Sequence, residues 1–244
     1  MLHNIWDSLL YKPFVNLLAV LVSVMPGGDL GLAVIILTLL VKTALFPLSQ
    51  RSIESQAKMK LLEPEIAKIK ASGASKEEQA RLTFELYKTY KTNPFSGCLL
   101  VLIQIPIIFA LYYAFYKGIH FDTGLYSFVK IPTHINTNFL GLVDLNGKSL
   151  VLAILAGVSQ FLQAYYMPKN APSTSNNPGG FQESFNRSMQ MQMKYIFPIL
   201  IVFIAYRISG AIALYWITSN IFTVFQQIYV NKKNTNVVKS KVLS

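Results

Sequence analysis

The sequence contains few charged residues and a single cysteine. Only 14% of its 244 residues are charged, whereas 52% are hydrophobic. This balance predicts an integral membrane protein rather than a soluble domain. Because Cys98 is the only cysteine, an internal disulfide and a cysteine-rich metal site are both excluded.

Sequence motifs for catalysis and for metal binding are also missing. The three histidines, His3, His120 and His134, all lie in terminal or loop sequence. The chain has no HExxH or GxSxG motif and no pair of aspartates inside an apolar segment. We therefore expect a protein that is not an enzyme and that needs neither a metal nor a cofactor.

Acidic residues are half as numerous as basic ones. The 11 Asp and Glu residues face 22 Lys and Arg residues, which gives a formal net charge of +11. The basic residues lie mainly in the polar segments between and after the apolar ones. Anionic lipid headgroups or RNA are therefore the expected nearby polyanions.

Five apolar segments predict five transmembrane helices, over residues 30–50, 96–117, 149–167, 194–208 and 211–230. The last two are separated because Arg207, Ser209 and Gly210 interrupt a stretch that is too long for one straight crossing. Residues 5–25 carry apolar side chains at helical spacing with a polar side. They predict an interfacial helix on the outer surface, with a short extra span as the alternative.

The distribution of basic residues predicts the orientation of these spans. Residues 52–92 are rich in Lys and Arg, so this loop is expected in the cytoplasm. Because successive spans cross the membrane in opposite directions, the loop 118–148 is expected outside. The loop 168–193 and the basic tail 231–244 are then expected inside. Because 168–193 is rich in Pro, Gly, Ser and Asn, we expect a flexible loop there.

The first cytoplasmic loop, 52–92, predicts a helical hairpin. Apolar residues recur at spacings of three and four on both sides of Gly73, and Ser75 with Glu78 matches the capping box that opens a helix. The outer faces carry interleaved Lys and Glu, which fits either a solvated coiled-coil surface or a docking surface.

A lysine lies within the first predicted span. Insertion scales assign a central membrane lysine a cost of about 2.5 to 3.5 kcal/mol, so Lys42 needs an explanation. It could bend back to the inner headgroups, or it could face a hydrated cavity inside the membrane. A helical side chain points back toward the N-terminus of its helix, so that of Lys42 starts out directed away from the nearer cytoplasmic surface, which favours the cavity. Thr38 lies on the same face, one turn earlier.

Polar residues in the other spans could line the same cavity. Trp216, Asn220, Thr223 and Gln227 follow each other at spacings of four, three and four, so they share one helical face. Gln104 lies in the second span, and Gln160 and Gln163 lie in the third. Each amide alone could simply join packed helices by a hydrogen bond. Together with Lys42 they predict a hydrophilic groove, and no Asp or Glu in any span neutralises the lysine.

Several segments resemble a known family. They are Val41–Gln50, Ser55–Met59, Asn93–Cys98, Leu102–Pro106 with Ala110–Tyr113, and Leu214–Asn220 with Gln226–Gln227. Taken in this order, they resemble the YidC/Oxa/Alb membrane protein insertases, in the form of a short bacterial YidC without a large preceding domain. The resemblance implies an all-α polytopic membrane protein. Five core transmembrane helices would surround a hydrophilic groove, with an N-terminal interfacial helix and a cytoplasmic helical hairpin.

The resemblance also implies a function. Such a protein inserts nascent membrane proteins and helps them fold, without nucleotide hydrolysis, in the bacterial inner membrane. Its groove is open to the cytoplasm and to lipid, and a positive charge in it attracts substrate tails. That charge corresponds to Lys42, although the usual family residue is arginine. By the resemblance, Thr38, Gln163, Trp216 and Asn220 line or border this groove together with Lys42. The pattern of polar residues within the spans adds Gln104, Thr223 and Gln227 to the predicted groove residues.

Partners follow from the same resemblance. They are nascent membrane proteins, the ribosome, the Sec translocon, the signal recognition pathway and anionic lipids, with a monomer as the functional unit. The candidate ribosome or lipid contacts are Lys58, Lys60, Lys68, Lys70, Arg187, Lys232 and Lys233. A small anion or solute transporter or channel remains the main alternative, and a non-transporting scaffold is a third reading.

Overall fold

The computed structural model describes residues 6–93, 96–116, 121, 124–167, 188 and 191–242. Side chains are described within these ranges except at 9, 60, 63, 96–101, 103, 116 and 233–242. The predicted flexible loop 168–193, with Arg187, falls almost entirely outside the described residues.

The described chain is mostly α-helical, as predicted. The helices are α1 Lys12–Val24, α2 Leu30–Ala44, α3 Phe46–Ala71, α4 Lys76–Thr89, α5 Ser96–Tyr116, α6 Leu150–Tyr166, α7 Phe197–Arg207 and α8 Gly210–Val242. π-helical turns precede two of them, at Asp7–Tyr11 before α1 and at Gln192–Ile196 before α7, and a short 3₁₀ turn spans Pro26–Gly28. Two short antiparallel strands, β1 Asn138–Phe139 and β2 Val143–Asp144, lie between α5 and α6.

The first apolar segment is not one straight helix over 30–50. Helix α2 ends at Ala44, and α3 begins at Phe46 with Pro47 in its first turn. Proline is tolerated there because the first helical N–H groups need no partner inside the helix. The first arm of the hairpin therefore starts at Phe46 rather than at residue 52. Among the described residues no single helix is both long and apolar enough to span a membrane, and α2 with Phe46–Met59 passes only as a pair bent by 64°.

The helical hairpin predicted between Lys42 and the second apolar segment is present. Helices α3 and α4 are joined at Gly73, which has a left-handed φ of 72°, and the Ser75 side chain accepts a hydrogen bond from the Glu78 amide. The Glu78 carboxylate does not complete a capping box, since both of its oxygens accept hydrogen bonds from Arg81. This pairing holds the pKa of Glu78 below its ordinary value.

The core lies between α1, α2, α5, α6, α7 and α8. Fully buried residues include Leu18, Leu37, Leu111, Ile201 and Ile212, one from each of five of these helices. Helices α6 and α7 pack closely at Gly157, where an added Cβ would overlap Val202 and lie 3.1 Å from the Pro198 carbonyl oxygen. The helices are therefore held by apolar packing with close backbone contact at this point.

Chain segments between α5 and α6 cover one end of the bundle. The Leu30 amide at the start of α2 donates to the Asn136 carbonyl at 3.0 Å. At the start of α8, the Gly210 and Ala211 amides donate to Gly147 and Leu145 at 2.9 and 3.1 Å. These bonds satisfy amides that helix N-termini leave unpaired, and Leu145 is fully buried.

Helices α7 and α8 are separate, as the interruption near Ser209 predicts. Ile208 has extended backbone between them. Helix α8 runs to Val242 and thus includes most of the predicted tail 231–244 in the same helix. The apolar pattern ends near residue 230, which is why the sequence predicted an earlier end to the span.

Candidate functional site

The Lys42 side chain lies between α2 and α8. Its ammonium nitrogen donates to the Thr223 hydroxyl oxygen at 3.2 Å. Thr223 is buried, and its own hydroxyl donates to the Ser219 carbonyl at 2.8 Å. The Thr223 oxygen is thereby oriented as an acceptor, which suits a protonated amine.

The polar face predicted on the last helix is turned inward. Trp216, Asn220, Thr223 and Gln227 are all buried, as spacings of four, three and four require for one helical face. Thr38 is also buried, and its hydroxyl donates to the Val34 carbonyl of its own helix at 2.6 Å. The polar residues of α2 and α8 thus face the interior rather than the surface.

A second group of polar side chains joins α8 to α6. The Asn220 amide nitrogen donates to the Ser159 hydroxyl at 3.0 Å and to the Gln160 side-chain oxygen at 3.2 Å. All three residues are buried. Asn220 therefore forms hydrogen bonds between packed helices. The sequence had offered this role as the alternative to lining a cavity.

Two further polar contacts lie at other levels of α8. The Gln104 amide of α5 donates to the Tyr215 hydroxyl. Toward the other end, the Gln226 amide nitrogen donates to the Ser49 hydroxyl at 2.8 Å and to the Phe46 carbonyl at 3.3 Å. These two hydrogen bonds join α8 to the start of α3, just after the bend at Leu45.

Gln163 and Gln227 are predicted groove residues for which no side-chain hydrogen bond to another helix is found among the described residues. Gln163 is half-buried near the end of α6, and within the described part of the chain its side chain has no hydrogen bond. Gln227 is completely buried, yet its side-chain oxygen has no partner among the described residues. Gln227 lies one turn beyond Thr223, so it extends the polar face next to Lys42.

Sequence reasoning left several residues of this network out of the site. They are Ser49, Ser159, Tyr215, Ser219 and Gln226. The available signal was the spacing of these polar residues within apolar helices, since Ser159 lies one turn before Gln163. Their partners on other helices depend on how the helices pack, and spacing along one helix does not determine that.

The charge of Lys42 is not neutralised by a neighbouring carboxylate among the described residues. The salt bridges found there join Lys12 to Asp7 and Arg81 to Glu78 and Glu85. The same part of the chain has no group of three His, Cys, Asp or Glu residues that could hold a metal ion. The site therefore holds one cation without a carboxylate partner, and next to it the Gln227 side-chain oxygen has no hydrogen-bond partner among the described residues.

The predicted basic contact residues lie elsewhere. Lys58, Lys68, Lys70 and Lys232 are exposed. The side chains of Lys60 and Lys233, and the whole of Arg187, are outside the described residues.

Comparisons with known proteins agree on one family. The family model described as "60Kd inner membrane protein" matches residues 21–237. A "Membrane protein insertase YidC" from Fusobacterium nucleatum is 35% identical over 207 residues, covering 84% of this chain and 88% of that protein. A protein of the same name from Oceanobacillus iheyensis is 35% identical over 235 residues, covering 94% of this chain and 84% of that protein.

A third relative, "Membrane protein insertase YidC 1" from Lactococcus lactis, is 33% identical over 228 residues, covering 91% of this chain and 74% of that protein. The residues that the family model matches, 21–237, include Lys42, Asn220 and Thr223. The chain therefore belongs to the 60Kd inner membrane protein family, the family of the YidC insertases.

Proposed function

We propose that this protein is a bacterial inner-membrane insertase that moves hydrophobic segments of nascent membrane proteins into the lipid. The observation that carries the proposal is Lys42, a cation without a carboxylate partner among the described residues, held between α2 and α8 by Thr223. The names of the relatives support the same activity.

The membrane arrangement is part of this proposal. Helices α2, α5, α6, α7 and α8 form five spans, and the hairpin of α3 and α4 lies in the cytoplasm with the end of α8. Helix α1 and the segment between α5 and α6 then lie at the outer face. The basic residues of the hairpin and their scarcity in 118–148 support this orientation.

The geometry supports a groove closed at its outer end. Asn136, Leu145 and Gly147 bind the amides that begin α2 and α8, so this end is filled by protein. An anion channel would need an open path here, and for this reason we prefer the insertase over the transporter.

The mechanism rests on two physical effects. A polar substrate tail that enters pure hydrocarbon leaves its backbone groups unsatisfied, at several kcal/mol each. Hydroxyl, amide and ammonium groups between α2 and α8 lower that cost, and Lys42 attracts an acidic residue of the tail. Partition of the apolar substrate helix into lipid then drives insertion, so the protein hydrolyses no nucleotide.

The partners follow from this mechanism. Nascent chains arrive from ribosomes, from the Sec translocon or by the signal recognition pathway, and the exposed lysines of α3 are candidate contacts. Lys232 lies near the headgroups of anionic lipids. One copy contains all of the groups invoked, so a monomer is the functional unit.

The test is insertion of a radiolabelled single-span protein with an acidic N-terminal tail into proteoliposomes. We compare wild type with Lys42→Ala, Lys42→Arg and Lys42→Glu, and Lys148→Ala serves as the control because Lys148 is exposed in the outer segment. We expect Lys42→Arg and the control to insert normally. Lys42→Ala should insert at least about tenfold less, because hydrogen bonds to charged groups contribute about 1.5 to 3 kcal/mol, and Lys42→Glu should be inactive.

Two results would contradict the proposal. If wild type inserts no more than empty liposomes, the protein is not an insertase for this substrate class. If all variants insert equally, the insertase reading remains but Lys42 does not act on the substrate.

A further inference from the structure

Four aromatic side chains and one lysine lie together where α6 ends and α7 begins. The Lys194 ammonium is 5.1 Å from the ring centre of Tyr195 and 5.7 Å from that of Tyr165, within the range of cation–π interactions. The Phe161 ring is 6.2 Å from Tyr195 and 6.5 Å from Tyr165. Tyr166 completes this aromatic–lysine cluster, at 5.6 Å from Tyr165.

Local sequence explains why these groups meet. Gly157 allows α6 to approach α7 closely at Pro198 and Val202. Phe161 lies one turn after Gly157, and Tyr195 lies about one turn before Pro198, so their rings come into contact. Lys194 and Tyr195 belong to the π-helical turn Gln192–Ile196, a distortion that is frequent at functional sites.

The cluster is accessible and positively charged. Its aromatic side chains are between 36% and 51% exposed, which is unusual for four neighbouring rings unless they face a partner or lipid. Within the described part of the chain, Lys194 pairs with no carboxylate. Its charge is therefore available to an anion.

We propose that the aromatic–lysine cluster binds the headgroup of an anionic phospholipid at the cytoplasmic surface of the membrane. Aromatic rings with a polar end favour the headgroup level, and the ammonium complements the lipid phosphate. This inference rests on the proposed function, because that function places the end of α6 and the start of α7 at this surface.

The geometry also selects the charge of the headgroup. A choline headgroup would bring its own cation to the aromatic faces that Lys194 already occupies, so the two cations would repel each other. A phosphatidylglycerol headgroup brings a negative charge without a compensating cation. The cluster thus prefers phosphatidylglycerol to phosphatidylcholine with the same acyl chains.

Native mass spectrometry of the purified full chain in detergent tests this preference. Each variant is titrated with phosphatidylglycerol or with phosphatidylcholine of identical acyl chains, and the apparent affinity for the first bound lipid is compared. The variants are Lys194→Gln, Lys194→Arg and Tyr195→Leu. The control is Lys148→Gln, which removes an exposed lysine from the distant outer segment.

We expect Lys194→Gln to weaken phosphatidylglycerol binding about fivefold, the effect of one basic residue near an anionic lipid surface. Tyr195→Leu should weaken it as well, because the ring that orients the ammonium is lost. Lys194→Arg and Lys148→Gln should bind like wild type, and normal behaviour of Lys194→Arg also shows that substitution at this position permits folding.

Equal binding of both lipids by wild type, or unchanged phosphatidylglycerol binding by Lys194→Gln, would overturn the lipid site. The same preparations are reconstituted for the insertion assay. Selective lipid binding without insertion would support the lipid site and reject the insertase. Insertion without lipid selectivity would support the insertase and reject the lipid site.

Discussion

At the scale of single residues, Asn220 joins the centre of α8 to α6. Its amide reaches both Ser159 and Gln160, and all three side chains are buried. Removing the amide leaves two buried polar groups without this partner, which costs more than the bond itself contributes. The residue therefore affects stability whether or not it also touches substrate.

We predict that Asn220→Ala lowers the free energy of unfolding by about 1 kcal/mol, since hydrogen bonds between membrane helices average about 0.6 kcal/mol with a maximum near 1.7. Titration of the purified protein with a denaturing detergent measures this change. Thr218→Val is the matched control, because the Thr218 hydroxyl donates only to Leu214 of its own helix. Equal stability of the two variants would show that the contact with α6 contributes nothing.

Residue-level prediction succeeded where one helix determined the outcome. Spacing alone predicted that Trp216, Asn220 and Thr223 share one helical face, and all three are buried. The charge of Lys42 within an apolar segment marked it as unusual. Spacing did not identify Ser159 as the partner of Asn220, because that contact depends on the rotation and depth of two helices. Whether the residues of this face and Gln163 line a substrate groove stays a prediction.

At the scale of the elements, the contact of α6 with α7 depends on a glycine. A Cβ at Gly157 would overlap Val202 and approach the Pro198 carbonyl oxygen, which is backbone and cannot rotate away. The two helices would have to separate. The aromatic–lysine cluster one turn further along depends on the same approach.

Gly157→Ala should therefore destabilise the protein by about 1 to 3 kcal/mol, the usual cost of an overpacked interior. Thermal unfolding in detergent measures the loss. Adding Val202→Ala should recover part of it, because the side-chain overlap is relieved while the backbone contact remains. Gly147→Ala is the control, since the nearest atom that its Cβ would meet is a carboxylate oxygen of Asp144 at an ordinary 3.4 Å. No recovery in the double variant would contradict this packing argument.

Helix ends were predicted well where a capping residue or glycine marks them. Ser75 and Gly73 define the hairpin turn, and Ser209 with Gly210 separates α7 from α8. The bend at Leu45 was missed, although Pro47 was a signal for a helix start, because the apolar residues continue without interruption from α2 into α3. The π-helical turns were also missed, since they arise from packing rather than from a residue type.

At the scale of the whole molecule, the two ends of the helix bundle differ. The segment between α5 and α6 binds the starts of α2 and α8, and Asn16 of α1 binds Gly124 and Tyr126 of the same segment. The hairpin extends from the other end of α2. The basic residues concentrate on the hairpin side, which supports the proposed orientation with this end in the cytoplasm.

This orientation predicts which residues a membrane-impermeant thiol reagent can reach in intact cells. In a Cys98→Ser background, Asn138→Cys places an exposed thiol on β1 and Glu77→Cys places one at the start of α4. Spheroplasts of an expressing strain should label Asn138→Cys at once. They should label Glu77→Cys only after the membrane is permeabilised, because the proposed orientation places the hairpin on the inner side. The reversed pattern would place Lys42 and its polar neighbours in a groove open to the outside, and such a groove could not receive chains made in the cytoplasm.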